Sequence, residues 1–173
     1  RAFENRLVFT NGLEFNYNGI NKTNINTLNF SLSIGNYAFS MGADKGGAKQ
    51  NINGINKDKY TNYDLKLPYC TTSIGAYAFF EFYRLKGLSF FGGIPTDVST
   101  STYANNLKSI GAYAFSVRTP SYMSSMTYDV TLNAGIQSIG KRAFNQRKDI
   151  KNFNFDSTSN QEDRRLNYIG DYA

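Results

Sequence analysis

One hexapeptide recurs along the chain at intervals that suit a single supersecondary unit. Ile34-Gly35-Asn36-Tyr37-Ala38-Phe39, Ile74-Gly75-Ala76-Tyr77-Ala78-Phe79 and Ile110-Gly111-Ala112-Tyr113-Ala114-Phe115 agree at five of six positions. Ile139-Gly140-Lys141-Arg142-Ala143-Phe144 keeps the frame with Arg in place of Tyr, and Ile169-Gly170-Asp171-Tyr172-Ala173 follows it. Ala2-Phe3, preceded by Arg1, reads as the tail of a further copy. Successive isoleucines lie 40, 36, 29 and 30 residues apart, so each copy belongs to one unit of a stacked array. The expectation is one array over residues 1–173, with turns near 1–3, 34–39, 74–79, 110–115, 139–144 and 169–173. Both ends fall inside a copy, as in a stretch cut from a longer array.

Short segments upstream of each Ile-Gly alternate apolar and polar residues: Leu28, Phe30, Leu32; Leu65, Leu67; Leu88, Phe90; Val130, Leu132; Phe153, Phe155. That period of two predicts a brief strand with one buried face in each repeat. Leu13 and Phe15 are a further candidate. The Tyr-Ala-Phe triplet lies too close to the next irregular stretch for a long helix, which predicts a single helical or 3₁₀ turn. Within the motif, Ile34, Ile74, Ile110 and Ile139 are expected to be buried. Gly35, Gly75, Gly111 and Gly140 are expected to turn the chain with positive φ, which glycine adopts without a Cβ penalty. Phe39, Phe79, Phe115 and Phe144 are expected to stack as a ladder, because each unit is too small to bury its own apolar face.

Composition narrows the chemistry. Hydrophobic residues at 40% supply enough apolar surface for a core, which excludes a disordered chain. Apolar runs are only a few residues long, as at Tyr77 to Phe80, far short of the roughly 20 that span a bilayer. No histidine is present, so Ser-His-Asp and Cys-His catalysis and the commonest zinc ligand are excluded. The single cysteine, Cys70, allows no internal disulfide and, lacking a His partner, reads as a structural thiol. No cofactor is implied. The net charge of +6 is scattered along the chain, as in a solvated basic surface.

At these residues the sequence resembles the BspA-like leucine-rich-repeat family, whose repeats run from a short Leu-rich strand ending near Pro to Ile-Gly and an aromatic-Ala-Phe turn. Leu65-Lys66-Leu67-Pro68 is the best copy of the strand ending. Family repeats often carry Cys three residues past the Phe, a place held here by Arg6, Gly42, Phe82, Arg118 and Arg147. Several repeats are also longer than usual for leucine-rich repeats. The resemblance implies a repeat solenoid, a right-handed superhelix of short β-strands and short helical or 3₁₀ turns. It also implies a non-enzymatic role in cell-surface attachment or host interaction.

Loops on a rigid repeat scaffold are where binding residues collect. Two inserts stand out, residues 40–64 and 92–106. The pentapeptide Asn18-Gly19-Ile20-Asn21-Lys22 recurs as Asn53 to Lys57, so the first two long inserts read as copies of one another. Lys45, Lys49, Lys57, Lys59, Tyr60, Tyr63, Asp97 and Tyr103 are the candidate binding residues, since Tyr and charged groups suit adaptable polar contacts. The Gly42–Lys49 stretch fails the phosphate-loop spacing, because Gln50 follows its last Lys. The neighbouring carboxylates Glu162-Asp163 read as a solvated turn. The partner expected is a protein or glycan at the cell surface or outside the cell; nucleic acid is not expected, because the basic residues are not gathered with aromatics. The alternative is an architectural protein, in an intracellular assembly, that self-associates through open array ends.

Overall fold

A computed structural model describes residues 31–40, 63–68, 70–83, 85–92, 107–118, 120, 123, 125–132, 135–155 and 166–173. Among the described residues nine strands follow one another: β1 (Leu32–Ile34), β2 (Tyr63–Pro68), β3 (Thr71–Ile74), β4 (Leu85–Gly92), β5 (Ser109–Ile110), β6 (Tyr128–Leu132), β7 (Ser138–Ile139), β8 (Ile150–Phe155) and β9 (Tyr168–Ile169). Every pairing is parallel. The short strands form one five-stranded sheet in the order β1-β3-β5-β7-β9, while the longer ones pair as β2-β4 and β6-β8.

The alternating segments do form strands where they are described: Leu65 and Leu67 in β2, Leu88 and Phe90 in β4, Val130 and Leu132 in β6, and Phe153 and Phe155 in β8. Leu28, Phe30, Leu13 and Phe15 lie outside the described residues. What the alternation does not reveal is a second strand per repeat, formed by the Ser-Ile that opens the motif. Register sets like on like, with Ser33, Ser73, Ser109 and Ser138 in one row and Ile34, Ile74, Ile110, Ile139 and Ile169 in the next. Two residues are too few for apolar periodicity to be visible, so only pairing with the neighbouring layer identifies these strands.

Two expectations about the motif are corrected. None of its turns is helical: Ala38, Ala78, Ala114 and Ala143 each donate to the carbonyl of the Gly three residues earlier, at 3.1–3.3 Å. These are β-turns. The glycines do not carry positive φ either. That conformation falls on the third residue after each Ile, Tyr37, Tyr77, Tyr113, Arg142 and Tyr172, with φ between 55° and 58°. A left-handed backbone is uncommon for a bulky residue. Here it directs the Tyr37 amide to the Ala76 carbonyl (3.0 Å), Tyr77 to Ala112, Tyr113 to Lys141 and Arg142 to Asp171 (2.9 Å each). The interlayer ladder thus continues through the turn instead of ending at the strand.

Glycine is required for a different reason. A Cβ on Gly75 would lie 2.6 Å from the Asn36 amide nitrogen, and one on Gly140 would lie 2.5 Å from that of Ala112. Gly75, Gly111, Gly140 and Gly170 each let their layer settle against the backbone of the layer before, where the glycine amide donates to the preceding isoleucine carbonyl at 2.7–2.8 Å, whereas a Cβ on Gly35 would meet nothing within 4 Å.

The core lies between the short-strand and long-strand sheets. Ile74, Ile110, Phe79, Phe115, Leu65, Leu67, Val130 and Leu132 are fully buried there. Phe39, Phe79, Phe115 and Phe144 stack in sequence with centroids 5.1, 5.2 and 5.3 Å apart, which is the ladder expected from the repeat. Ala78, Ala114 and Ala143 are buried beside it. The apolar alternation of β8 does not give a buried face, since Phe153 is 44% and Phe155 51% exposed. Their strand pairs with β6 on one side and with no described strand on the other.

Candidate functional site

The regular fold places three groups of chemistry-bearing side chains. Along the outward side of the long strands, parallel register aligns Asp64 with Gly87, Lys66 with Ser89, Asp129 with Asn152, and Thr131 with Asn154. The Asn152 amide donates to the Asp129 carboxylate at 2.8 Å, and the Lys86 ammonium lies 3.7 Å from Asp64. All four of these side chains are exposed. They form a polar face with both signs of charge, suited to a partner's hydrogen-bonding groups.

A second row runs through the turns. The Tyr77 ring is stacked between Tyr37 (4.9 Å, 3° between planes) and Tyr113 (4.7 Å, 6°). In the next layer the Arg142 guanidinium occupies the place of a ring, 5.8 Å from the centroid of Tyr113 and 5.2 Å from that of Tyr172. These are cation–π distances. Arg142 Nη1 also donates to the Tyr113 hydroxyl at 3.1 Å.

The third group is buried. Arg147 binds Asp149 through two nitrogens, with Nε to Oδ1 at 3.0 Å and Nη2 to Oδ2 at 2.5 Å. It also donates to the Tyr128 hydroxyl and to the Phe82 carbonyl, both at 2.7 Å. Tyr128 donates in turn to Asp149 at 3.2 Å. Burial raises the Asp149 carboxyl above its ordinary range, against the opposing pull of Arg147 and the Tyr128 hydrogen bond. Burial likewise holds the Tyr128 hydroxyl well above the usual tyrosine range. With all three side-chain nitrogens of Arg147 and the Tyr128 hydroxyl engaged inside the protein, the chemistry of the cluster is to fasten layers together. A second carboxylate, Glu81, is closed in similarly, accepting from the Arg118 amide and the Tyr83 hydroxyl at 2.5 Å each.

Of the residues singled out for binding, Lys45, Lys49, Lys57, Lys59, Tyr60, Asp97 and Tyr103 lie outside the described residues, as do Glu162 and Asp163. Tyr63 opens β2, paired with Leu85. The first insert therefore ends before residue 63, and the second begins after Gly92, the last residue of β4. Cys70 is buried. Among the described residues no group of His, Cys, Asp and Glu could hold a metal ion, and no helix is long and apolar enough to cross a membrane. The tyrosine row was visible in the hexapeptide, where its letters read only as part of the Tyr-Ala-Phe turn. The Arg147 cluster had a fainter signal, a charged residue at the place where related repeats carry Cys.

A family model described as a BspA type leucine rich repeat region matches residues 57–173 in 6 copies. The chain belongs to the BspA-type leucine-rich-repeat family. The Ile34–Phe39 copy lies outside the matched span, yet β1 pairs with β3 in the register of the other layers and extends the same ladder. No curated protein and no solved structure matches the chain. Leucine-rich repeats of this kind are in general protein-interaction modules without enzymatic activity, and the polar rows on these layers have the form such a module needs.

Proposed function

We propose that the chain is a non-enzymatic recognition module that acts at the cell surface or outside the cell, attaching to a protein or glycan partner. The observation that carries this reading is the fixed register of exposed polar side chains on parallel strands. Successive layers in a parallel sheet stand roughly 4.8 Å apart, so a rigid ladder presents a row of contacts with little conformational entropy left to lose on binding. We read the array as a right-handed solenoid, the hand that parallel crossover connections take in nearly all folds.

The test is binding of the purified chain to a glycan array and to immobilised extracellular-matrix proteins, with a deletion of residues 41–62 in parallel. Retention on one surface and its loss on deletion support recognition through the insert. Retention unchanged by the deletion moves the contact to the strands. Absence of retention on every surface overturns the reading.

A further inference from the structure

The row of Tyr37, Tyr77, Tyr113, Arg142 and Tyr172 differs from an ordinary aromatic surface in what it leaves open. An aromatic ring is electronegative on its faces and electropositive around its edge. Both faces of Tyr77 are covered by neighbouring tyrosines, and Tyr113 is covered by Tyr77 on one side and the Arg142 guanidinium on the other. These half-buried rings therefore meet solvent along their edges. At Tyr77 and Tyr113 the electropositive rim is exposed and the electronegative faces are spent.

Arg142 adds a full charge to this rim. Among the described residues only its Nη1 is engaged, by Tyr113, out of the five donors that a guanidinium carries. Because Tyr113 accepts that bond, its own hydroxyl proton is directed elsewhere. The adjacent Lys141 is half exposed, 3.9 Å from the exposed Asp171, a separation at which a surface pair gains little. The strip thus combines ring edges, a hydroxyl donor and two cations against one carboxylate, on a chain of net charge +6.

We propose that this strip is a binding site for an acidic glycan, with a sulfate or carboxylate group seated on Arg142 and the chain of sugars lying along the tyrosine edges. The assignment rests on the recognition reading above and names its partner class. Single-stranded nucleic acid fits less well: it gains its affinity by stacking bases on open aromatic faces, and both faces of Tyr77 and Tyr113 are occupied by their neighbours. Neutral glycans, which pack C–H groups on such faces, lose the same contact at these two rings.

Immobilised heparin is the probe, with hyaluronan as the carboxylate-only polymer, dextran as the uncharged one and oligo-dT as the nucleic acid. Arg142→Tyr is the informative variant, because the layers of Tyr37, Tyr77 and Tyr113 already hold tyrosine at this place with the same backbone conformation. Arg142→Gln removes the charge while keeping an extended polar side chain. Both are expected to weaken heparin binding by roughly tenfold, the loss of one charge-assisted contact, with an unchanged circular dichroism spectrum. Binding should fall with salt, and less steeply in the variants. Lys148→Gln, which removes an exposed cation from outside the row, should stay within about twofold of the wild type. Hyaluronan retained beside heparin identifies a carboxylate as sufficient; heparin alone identifies sulfate. Equal heparin binding by Arg142→Tyr and wild type, an equal loss in Lys148→Gln, or tighter binding of oligo-dT than heparin overturns the assignment. Absence of binding to both heparin and hyaluronan with retention on a neutral glycan or matrix protein overturns the acidic-glycan site and leaves the recognition reading standing.

Discussion

Gly140 rests against Ala112 so closely that a Cβ on the glycine would stand 2.5 Å from the Ala112 amide nitrogen and 2.6 Å from the Gly111 carbonyl carbon. Both obstacles are backbone, held by the ladder. Gly140→Ala should therefore force the layers apart and lower stability by about 2 kcal/mol, the scale of overpacking in a tight core. Gly87→Ala provides the contrast, because its added Cβ would meet the exposed Asp64 carboxylate, which can swing aside. Its cost should stay below about 1 kcal/mol. Urea midpoints of the two variants check the ordering.

Arg147 and Asp149 are almost fully withdrawn from water, at 7% and 1% exposure. Removing one partner strands the other, so Asp149→Leu should cost about 3–5 kcal/mol. Arg147→Met together with Asp149→Leu should cost less than Asp149→Leu alone, since no buried charge then remains. A double-mutant cycle measured by chemical denaturation reads this coupling directly.

Tyr128 makes stability sensitive to alkali. In the unfolded chain its hydroxyl ionises near pH 10, whereas burial keeps it protonated to higher pH in the fold. Below pH 10 the group is neutral in both states and its contribution is constant. Above pH 10 the unfolded state releases a proton that the folded state retains, so stability falls by up to about 1.4 kcal/mol per pH unit. Tyr128→Phe should flatten the pH 10–12 limb of the stability curve while losing the hydroxyl's bonds to Arg147 and Asp149. Ultraviolet titration of the folded protein should show one tyrosine of the wild type resisting ionisation in that range.

Phe79 lies in the interior of the ring ladder, fully buried between Phe39 and Phe115. Phe79→Ala should cost about 3–5 kcal/mol. Phe153, which touches Phe144 edge-on but is 44% exposed, should cost about 1 kcal/mol on the same change. Thermal melts of the two variants test whether the ladder or the outer strand carries the stability of the array.

The sequence by itself determined that the chain is built of like layers. Identical letters at Ile, Gly, Ala and Phe demand identical environments, and only a stack in which each repeat meets its copy supplies them. Leu65, Leu67, Val130 and Leu132 revealed their strands because a one-faced strand alternates, and the phenylalanine ladder followed from recurrence alone. Tertiary structure decided the rest, because the deciding contacts join residues about 30 to 65 positions apart. Ser73 and Ile74 become a strand only through β1 and β5. Gly75, Gly111, Gly140 and Gly170 prove necessary for the approach of the preceding layer and not for their own φ, while the tyrosines accept the left-handed backbone because it carries the interlayer hydrogen bonds onward. Phe153 and Phe155 kept the alternation of a buried face and are exposed, since burial depends on the neighbouring layer and not on the strand's own letters. The same holds for the site. Tyr and Arg at the fourth place of the hexapeptide were legible as letters, but their joining into one electropositive rim is a property of the stack.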